Sequence, residues 1–456
     1  MARRALAALT GVAYGLGLGP LVAYGEVLIL AWVVAVAMVP WGFLALFPEV
    51  RRGATAIVVL AYGVHLAAAS LLYFGSLAMG LGGFITGDDA GYSDVAWKVA
   101  RIWGGEDVDI GGDAYLLGTF VYLEGALYAL FGERPLLMIF LNAGLATALG
   151  VLASEIARHL FGTRAGIAAL VLVAFFPSLV LWSALNLKEA LTLFLIAVVF
   201  WALLRFHMRV RWPYLGIAFL TLLPLQTLRS YIFLELAVII VIAVAVVPGW
   251  NWSRRATGTA LAAALSGVLM ITAPSPVPLG TDPVADLEQI RSNMAEGART
   301  GFQDPADDPA DESDERTGES NVPPAWLRLV NYLPIGIGYM LFAPFPWSLE
   351  RTADVLAVPE MLLWYLLVGA ALVTLWVHRA SWQVLLPVII FVGGTVVMLG
   401  LVEGNVGTLF RHRGMVIPFV AVLASPSLVS VGDRFLRSRV GEGARSADNA
   451  AARTAL

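Results

Sequence analysis

The sequence predicts an all-α protein: a polytopic membrane helical bundle of about twelve spans, with interfacial helices in its first large outer loop. Three observations predict it. Apolar residues make up 59% of the 456 and charged residues 14%, against roughly 45–50% and about 25% in an ordinary soluble domain. Mean hydropathy is +0.79. The apolar residues fall in runs of about 20, the length of helix that crosses a hydrocarbon core. A soluble fold cannot hide this much apolar surface, which excludes soluble enzymes, nucleic-acid binders and disordered chains. Cysteine is absent, which excludes disulfide frameworks, thiol nucleophiles and cysteine metal sites.

Three spans, 5–24, 27–48 and 54–78, form an N-terminal segment over 1–78. Arg3 and Arg4 precede the first, which predicts a cytoplasmic N-terminus. No small-x-small cleavage site follows that span, so it reads as an anchor. An outer loop covers 79–135. Within it, 113–131 reads as an interfacial helix, because Asp113, Glu124 and Glu133 suit an interface better than a bilayer core. A six-span core over 136–275 comprises 136–154, 165–184, 190–204, 213–228, 231–248 and 258–275. A second outer loop, 276–354, is acidic and reads as disordered at 303–321. Its aromatic, proline-rich stretch 326–346 reads as a surface segment. Three further spans, 355–377, 383–401 and 415–431, make the segment 355–431. The polar tail 432–456 is placed in the cytoplasm with the N-terminus, in a cell (plasma) membrane.

Charge segregation fixes this orientation. Arg51, Arg52, Arg158, Arg164, Arg205, Arg209, Arg211, Arg254 and Arg255 are among 17 of the 29 Lys and Arg that fall on the cytoplasmic side, and 27 of the 33 acids fall outside or at the outer edge. Basic residues in short loops favour the cytoplasm. A span at 113–131 would reverse everything after it.

Against that rule, Lys188, Arg229, Arg411 and Arg413 lie in short outer turns. An anionic ligand at the outer surface accounts for them, since Arg offers paired donors to phosphate and Lys a point charge. Pairing with Glu189 and Glu403 is the plainer account. Asn186, Lys188 and Glu189 form a polar cluster after the interface anchor Trp182. His412, between two arginines, reads as a hydrogen-bonding partner for phosphate or a sugar hydroxyl, or as a structural histidine. Asp88 and Asp89 are adjacent carboxylates in a Gly-flanked turn, with Tyr92, Ala96 and Ala100 at helical spacing from about 90 onward. A carboxylate there can take a proton from an attacking hydroxyl or cap a helix. The pair permits a divalent metal without requiring one, and no cofactor is otherwise called for. Glu235, the one acid placed within a span, reads as a partner for Arg229 or Arg413. Asp107-Val-Asp109 and the sequon Asn251-Trp-Ser253 lie on the wrong sides for their usual chemistry.

The stretch Asp88-Asp-Ala-Gly-Tyr92-Ser-Asp-Val-Ala96 is similar to the Asp-Glu-x-x-Tyr-x-x-x-Ala of the GT-C superfamily of membrane glycosyltransferases. Leu127-Tyr-Ala-Leu-Phe131-Gly132, His159-Leu-Phe-Gly162 and Pro177 through Glu189 resemble its next motifs in order. The chain thus resembles the protein O-mannosyltransferases and lipid A aminoarabinose transferases over roughly 84–205. Asp89 stands for the family's usual Glu, and three spans precede the pair where the family usually has one. The resemblance implies a polyprenyl-phosphate-linked sugar donor, a glycan, lipid or protein acceptor, membrane lipids around the donor tail, and an inverting transfer at the outer face. It implies Asp88 and Asp89 as catalytic, with Tyr92, Asn186, Lys188, Glu189, Arg229, Arg411, His412 and Arg413 binding substrate. An O-antigen polymerase or ligase, a lipid-linked-sugar flippase or transporter, and a non-catalytic assembly subunit are the alternative readings.

Overall fold

A computed structural model describes residues 2–272, 325–345, 347, 352–403 and 406–434. The acidic stretch 303–321 and the tail from 435 lie outside them. No strand occurs among the described residues. The first helices are α1 (Ala2–Ala23), α2 (Val27–Leu46), α3 (Pro48–Ala78), α4 (Gly87–Trp103) and α5 (Thr119–Phe131), with a 3₁₀ turn at Gly111–Leu116. Then come α6 (Pro135–Phe161), α7 (Thr163–Ala174), α8 (Pro177–Ser183), α9 (Glu189–Arg209), α10 (Trp212–Leu228), α11 (Ser230–Ala245) and α12 (Trp252–Thr272). The last five are α13 (Ala325–Phe342), α14 (Thr352–Val377), α15 (Trp382–Val402), α16 (Val406–Arg413) and α17 (Ile417–Arg434). Pro at the first turn of α3, α6 and α8 starts each helix where its missing N–H costs nothing.

Eight of these helices, α1, α2, α3, α6, α9, α12 and most of α14 and α15, are long and apolar enough to cross a membrane. The count is ten if α7 with α8, and α16 with α17, each make one span bent by 55°. Helices α10 and α11, at 17 and 16 residues, are shorter. Packing is graded. The most apolar window of α6 is 94% buried, whereas those of α1 and α2 are 17% and 28% buried. Helix α6 is therefore the core, contacting α2, α3, α7 and α9.

Two segments placed outside the predicted spans pack closely into the bundle. Helix α5 fills most of the 113–131 region, and its Glu124 is fully buried within the protein. Gly125 explains the close seat, since a Cβ there would lie 3.1 Å from the Ala96 carbonyl oxygen of α4. The 326–346 segment is largely α13, packed into the bundle against α15 with Tyr332 and Met340 buried. Gly336 allows this, because a Cβ there would overlap the Gly400 carbonyl.

Candidate functional site

The site lies at one end of the bundle, where the N-termini of α4, α9 and α11 meet α16. Helix α4 begins three residues earlier than the spacing predicts. Thr86 is its N-cap and Asp89 completes a capping box. The Thr86 hydroxyl accepts from the Asp89 N–H at 3.2 Å, and Asp89 Oδ1 accepts from the Thr86 N–H at 2.8 Å. Oδ2 accepts from the Ile85 N–H at 3.0 Å. Asp89 is 1% exposed, so both its oxygens serve the helix start. That frees Asp88 from capping. Its side chain is exposed and its Oδ2 accepts from Arg411 Nη1 at 2.6 Å. The two carboxylates thus engage different partners, the helix start and Arg411. Among the described residues no group of three or more His, Asp or Glu gathers as metal ligands.

The turn before α9 is pinned from three sides. Asn142 of α6 donates to the carbonyls of Leu185 and Leu187, at 3.1 and 2.8 Å. Asn186, fully buried, donates to Glu124 Oε1 at 2.7 Å and to the Asp89 carbonyl at 3.3 Å. Glu124 also accepts from the Tyr128 hydroxyl at 2.7 Å. Burial pushes the Glu124 carboxyl up to about 8. Asn186 therefore holds the turn through its Nδ2, while its Oδ1 accepts no hydrogen bond among the described residues. The sequence did show Glu124 as a lone acid in an apolar helix, with Tyr128 four residues on, but not its packing partner.

At the N-terminus of α9 stands an ion network. Glu189 is buried, and its Oε1 accepts from Arg229 Nη2 at 2.8 Å and from Arg411 Nε at 2.7 Å. Glu189 makes no direct bond to its neighbour Lys188 among the described residues, though its charge favours the ammonium. Lys188 is the N-cap residue of α9, and Arg229 that of α11. A cation there opposes the positive end of the helix dipole, and such ends favour anions. The Lys188 ammonium lies 5.7 Å from the Tyr92 ring centroid and makes no ion pair among the described residues. Burial, then the nearby Arg229 charge, pulls it down to about 8. Tyr92 is pushed up to about 12 by burial, so it offers Lys188 a ring face and not a phenolate. Arg411 stacks near Trp182, 5.9 Å from its ring centroid. A small cavity beside the network is lined by Trp182, Glu189, Thr192, Arg229, Arg411 and Met415.

Three expected partners go elsewhere. Arg413 is 2% exposed and turns away, donating to the carbonyls of Met340, Tyr339 and Ala343 at the end of α13. It holds a helix C-terminus, where cations are favoured. His412 Nδ1 lies 2.6 Å from Glu403 Oε1, so Glu403 is spent on the histidine and not on Arg411. Glu235 Oε2 accepts from the Thr395 hydroxyl at 2.8 Å and pairs with neither arginine expected for it. The structure brings together Asp88, Tyr92, Lys188, Glu189, Arg229 and Arg411, and places Asp89 and Asn186 as their local supports.

No family model matches the chain, and no curated protein sequence matches it.

Proposed function

We propose that this protein is an inverting membrane glycosyltransferase of GT-C type. It moves a sugar from a polyprenyl-phosphate donor to an acceptor hydroxyl at the outer face of the cell membrane. In this reading the eight long helices, the two bent pairs, α10 and α11 make twelve spans, and both termini are cytoplasmic. The observation that carries the proposal is Lys188: a largely buried ammonium with no ion pair among the described residues, at a helix N-terminus, beside Arg229 and Arg411. The Tyr92 ring and the charges of Glu189 and Asp88 offset its burial only in part, and a phosphate would complete the compensation.

The chemistry balances with side chains on hand. The acceptor oxygen attacks the anomeric carbon and forms the new C–O bond. The bond from that carbon to the phosphate oxygen breaks, and its electron pair leaves with the lipid phosphate. The hydroxyl proton passes to the exposed carboxylate of Asp88. Lys188, Arg229 and Arg411 meet the charge that grows on the phosphate, and Glu189 holds the two arginines in register. The polar residues gather at the end of the helices, not at the midplane where transport sites lie, which favours transfer over transport.

The test is transfer from a purified polyprenyl-phosphate sugar in detergent, scored beside thermal stability. Asp88→Asn should lower turnover by roughly 10²–10⁴-fold with its melting temperature unchanged, because Thr86 and Asp89 cap the helix. Arg229→Gln should weaken donor use by about 2–4 kcal/mol. Near wild-type transfer by both variants would sink the assignment and favour a lipid-linked-sugar transporter.

A further inference from the structure

Arg411 is shared between a buried and an exposed carboxylate. Its Nε and Nη2 hold Glu189, which is buried, and its Nη1 holds Asp88, at the mouth of the site. In the proposed reading Asp88 is the base and Arg411 a phosphate ligand, so the pair as it stands occupies both. One oxygen of the base is engaged by a guanidinium, and one donor of the phosphate site is engaged by a carboxylate. The two ends of the bond are not equally fixed. Arg411 is anchored by Glu189 and by Trp182, and 15% of its side chain is exposed. Asp88 is 59% exposed and has no part in the capping box of α4. Asp88 is therefore the partner that moves.

We infer that the Asp88–Arg411 bond is a latch that the donor phosphate opens, so that the lipid phosphate must bind before the acceptor hydroxyl can be deprotonated. This rests on the glycosyltransferase reading of the site. A phosphate entering between Lys188 and Arg411 takes the Nη1 donor and sets an anion beside Asp88. Like charges at that range repel, and a neighbouring anion favours proton uptake by a carboxyl. The freed carboxylate then turns to the acceptor. The coupling strengthens as the reaction proceeds, because the diester donor carries one negative charge and the departing monophosphate up to two. It also keeps the base idle when no donor is present.

The test is a double-mutant cycle on binding, not on turnover. The probe is a short-chain polyprenyl monophosphate without sugar, titrated in detergent into wild type, Asp88→Asn, Arg411→Gln and the double variant, each checked for an unchanged melting temperature. Asn cannot compete for Arg411 as a carboxylate does. Asp88→Asn should therefore tighten binding by roughly two- to fivefold, the worth of a partly exposed ion pair. In the Arg411→Gln background the same change should tighten binding by clearly less, through relief of like-charge repulsion alone. If Arg411→Gln does not fold, Arg411→Lys takes its place, because one ammonium cannot bridge both carboxylates. Equal tightening in both backgrounds would reduce the effect to net charge and overturn the latch. No tightening in either would also overturn it while leaving Asp88 as the base. Failure of the wild type to bind the lipid phosphate would strike the glycosyltransferase reading itself.

Discussion

The bundle carries a buried glutamate with two arginines at each of its ends, and the two clusters are built differently. At the basic end, Glu155 of α6 meets Arg158 Nε at 2.9 Å, His159 Nδ1 at 3.2 Å and Arg205 Nη1 at 3.9 Å. Arg158 and His159 stand in the last turn of α6, where the helix dipole welcomes cations. Every charge there touches the carboxylate, and the helix ends supply the rest. At the site end, Glu189 also gathers two arginines, but Lys188 reaches no carboxylate among the described residues and Arg411 spends a donor on an exposed aspartate. The cations Lys188 and Arg229 sit at helix N-termini, where dipoles oppose them. Both clusters hold two half-buried arginines to one buried acid. Only one adds a positive charge that has a ring face and nearby carboxylate charges but no ion pair among the described residues. On the proposed reading, that mismatch separates a network that holds helices together from one arranged for an anion.

The largest expected contrast is topological and all-or-none. The chain has no cysteine, so single cysteines report cleanly. Asp107→Cys, near the site end, should react with an impermeant maleimide added outside intact cells. Arg209→Cys, at the basic end, should react only after the membrane is opened. The reverse pattern would put the site in the cytoplasm and remove the polyprenyl-phosphate donor from consideration.

Next in size is the contrast between stability and turnover. Glu155→Ala leaves Arg158 and Arg205 without their carboxylate, which costs about 3–5 kcal/mol for a buried pair. Thermal unfolding should show that loss, while turnover per folded molecule stays within about twofold. Glu155→Ala that keeps its stability but loses transfer would make the two ends functionally alike.

Much of this was legible in sequence, and the boundary of legibility has a physical cause. The helical membrane class follows from composition, and Lys188, Arg229 and Arg411 stand out because they break a charge rule. Those signals are one-dimensional. What was not legible depends on side-chain direction. Arg411 and Arg413 are two residues apart and point to different places, because i and i+2 lie on different faces of a helix. Asp88 and Asp89 look interchangeable, yet only position N3 closes a capping box. The burial of Glu124 was not legible because its partners, Tyr128 and Asn186, are assembled by the packing of α5 against the turn before α9.

A smaller effect isolates Lys188. Removing a largely buried, unpaired charge relieves its desolvation, so Lys188→Met should raise stability by about 1 kcal/mol while weakening lipid-phosphate binding. The pH dependence gives the sign. The folded ammonium titrates near 8, below the 10.5 of a free lysine. Between these values the unfolded chain binds more protons, so wild-type stability should rise with pH across that window and be flat below it. Lys188→Met should abolish the rise. An anion favours the charged amine, so phosphate affinity should fall as pH passes about 8. A pH-independent affinity in wild type would mean that Lys188 does not touch the ligand.

The smallest effect concerns Glu124, which lies next to the ion network but outside it. Its carboxyl is pushed up to about 8 by burial, with Tyr128 and Asn186 as its hydrogen-bond partners. At pH 7 the folded protein therefore holds it mostly as the neutral acid, whereas the unfolded chain holds the carboxylate. The folded state binds the extra proton between about 4.5 and 8, so this group lowers stability progressively as pH rises through that window. Glu124→Gln copies the neutral acid in size and still accepts from Tyr128 and Asn186. It should change the melting temperature at pH 6 by less than about 1 kcal/mol in stability terms and flatten the decline toward pH 8. Transfer should persist, because Asn186 and the turn it holds stay in place. Glu124→Ala leaves the Tyr128 hydroxyl and the Asn186 amide without their acceptor and should cost about 1–3 kcal/mol for each. If Glu124→Gln instead abolished transfer with the fold intact, the acid itself would belong to the reaction, and the line drawn between support and site at Asn186 would have to move.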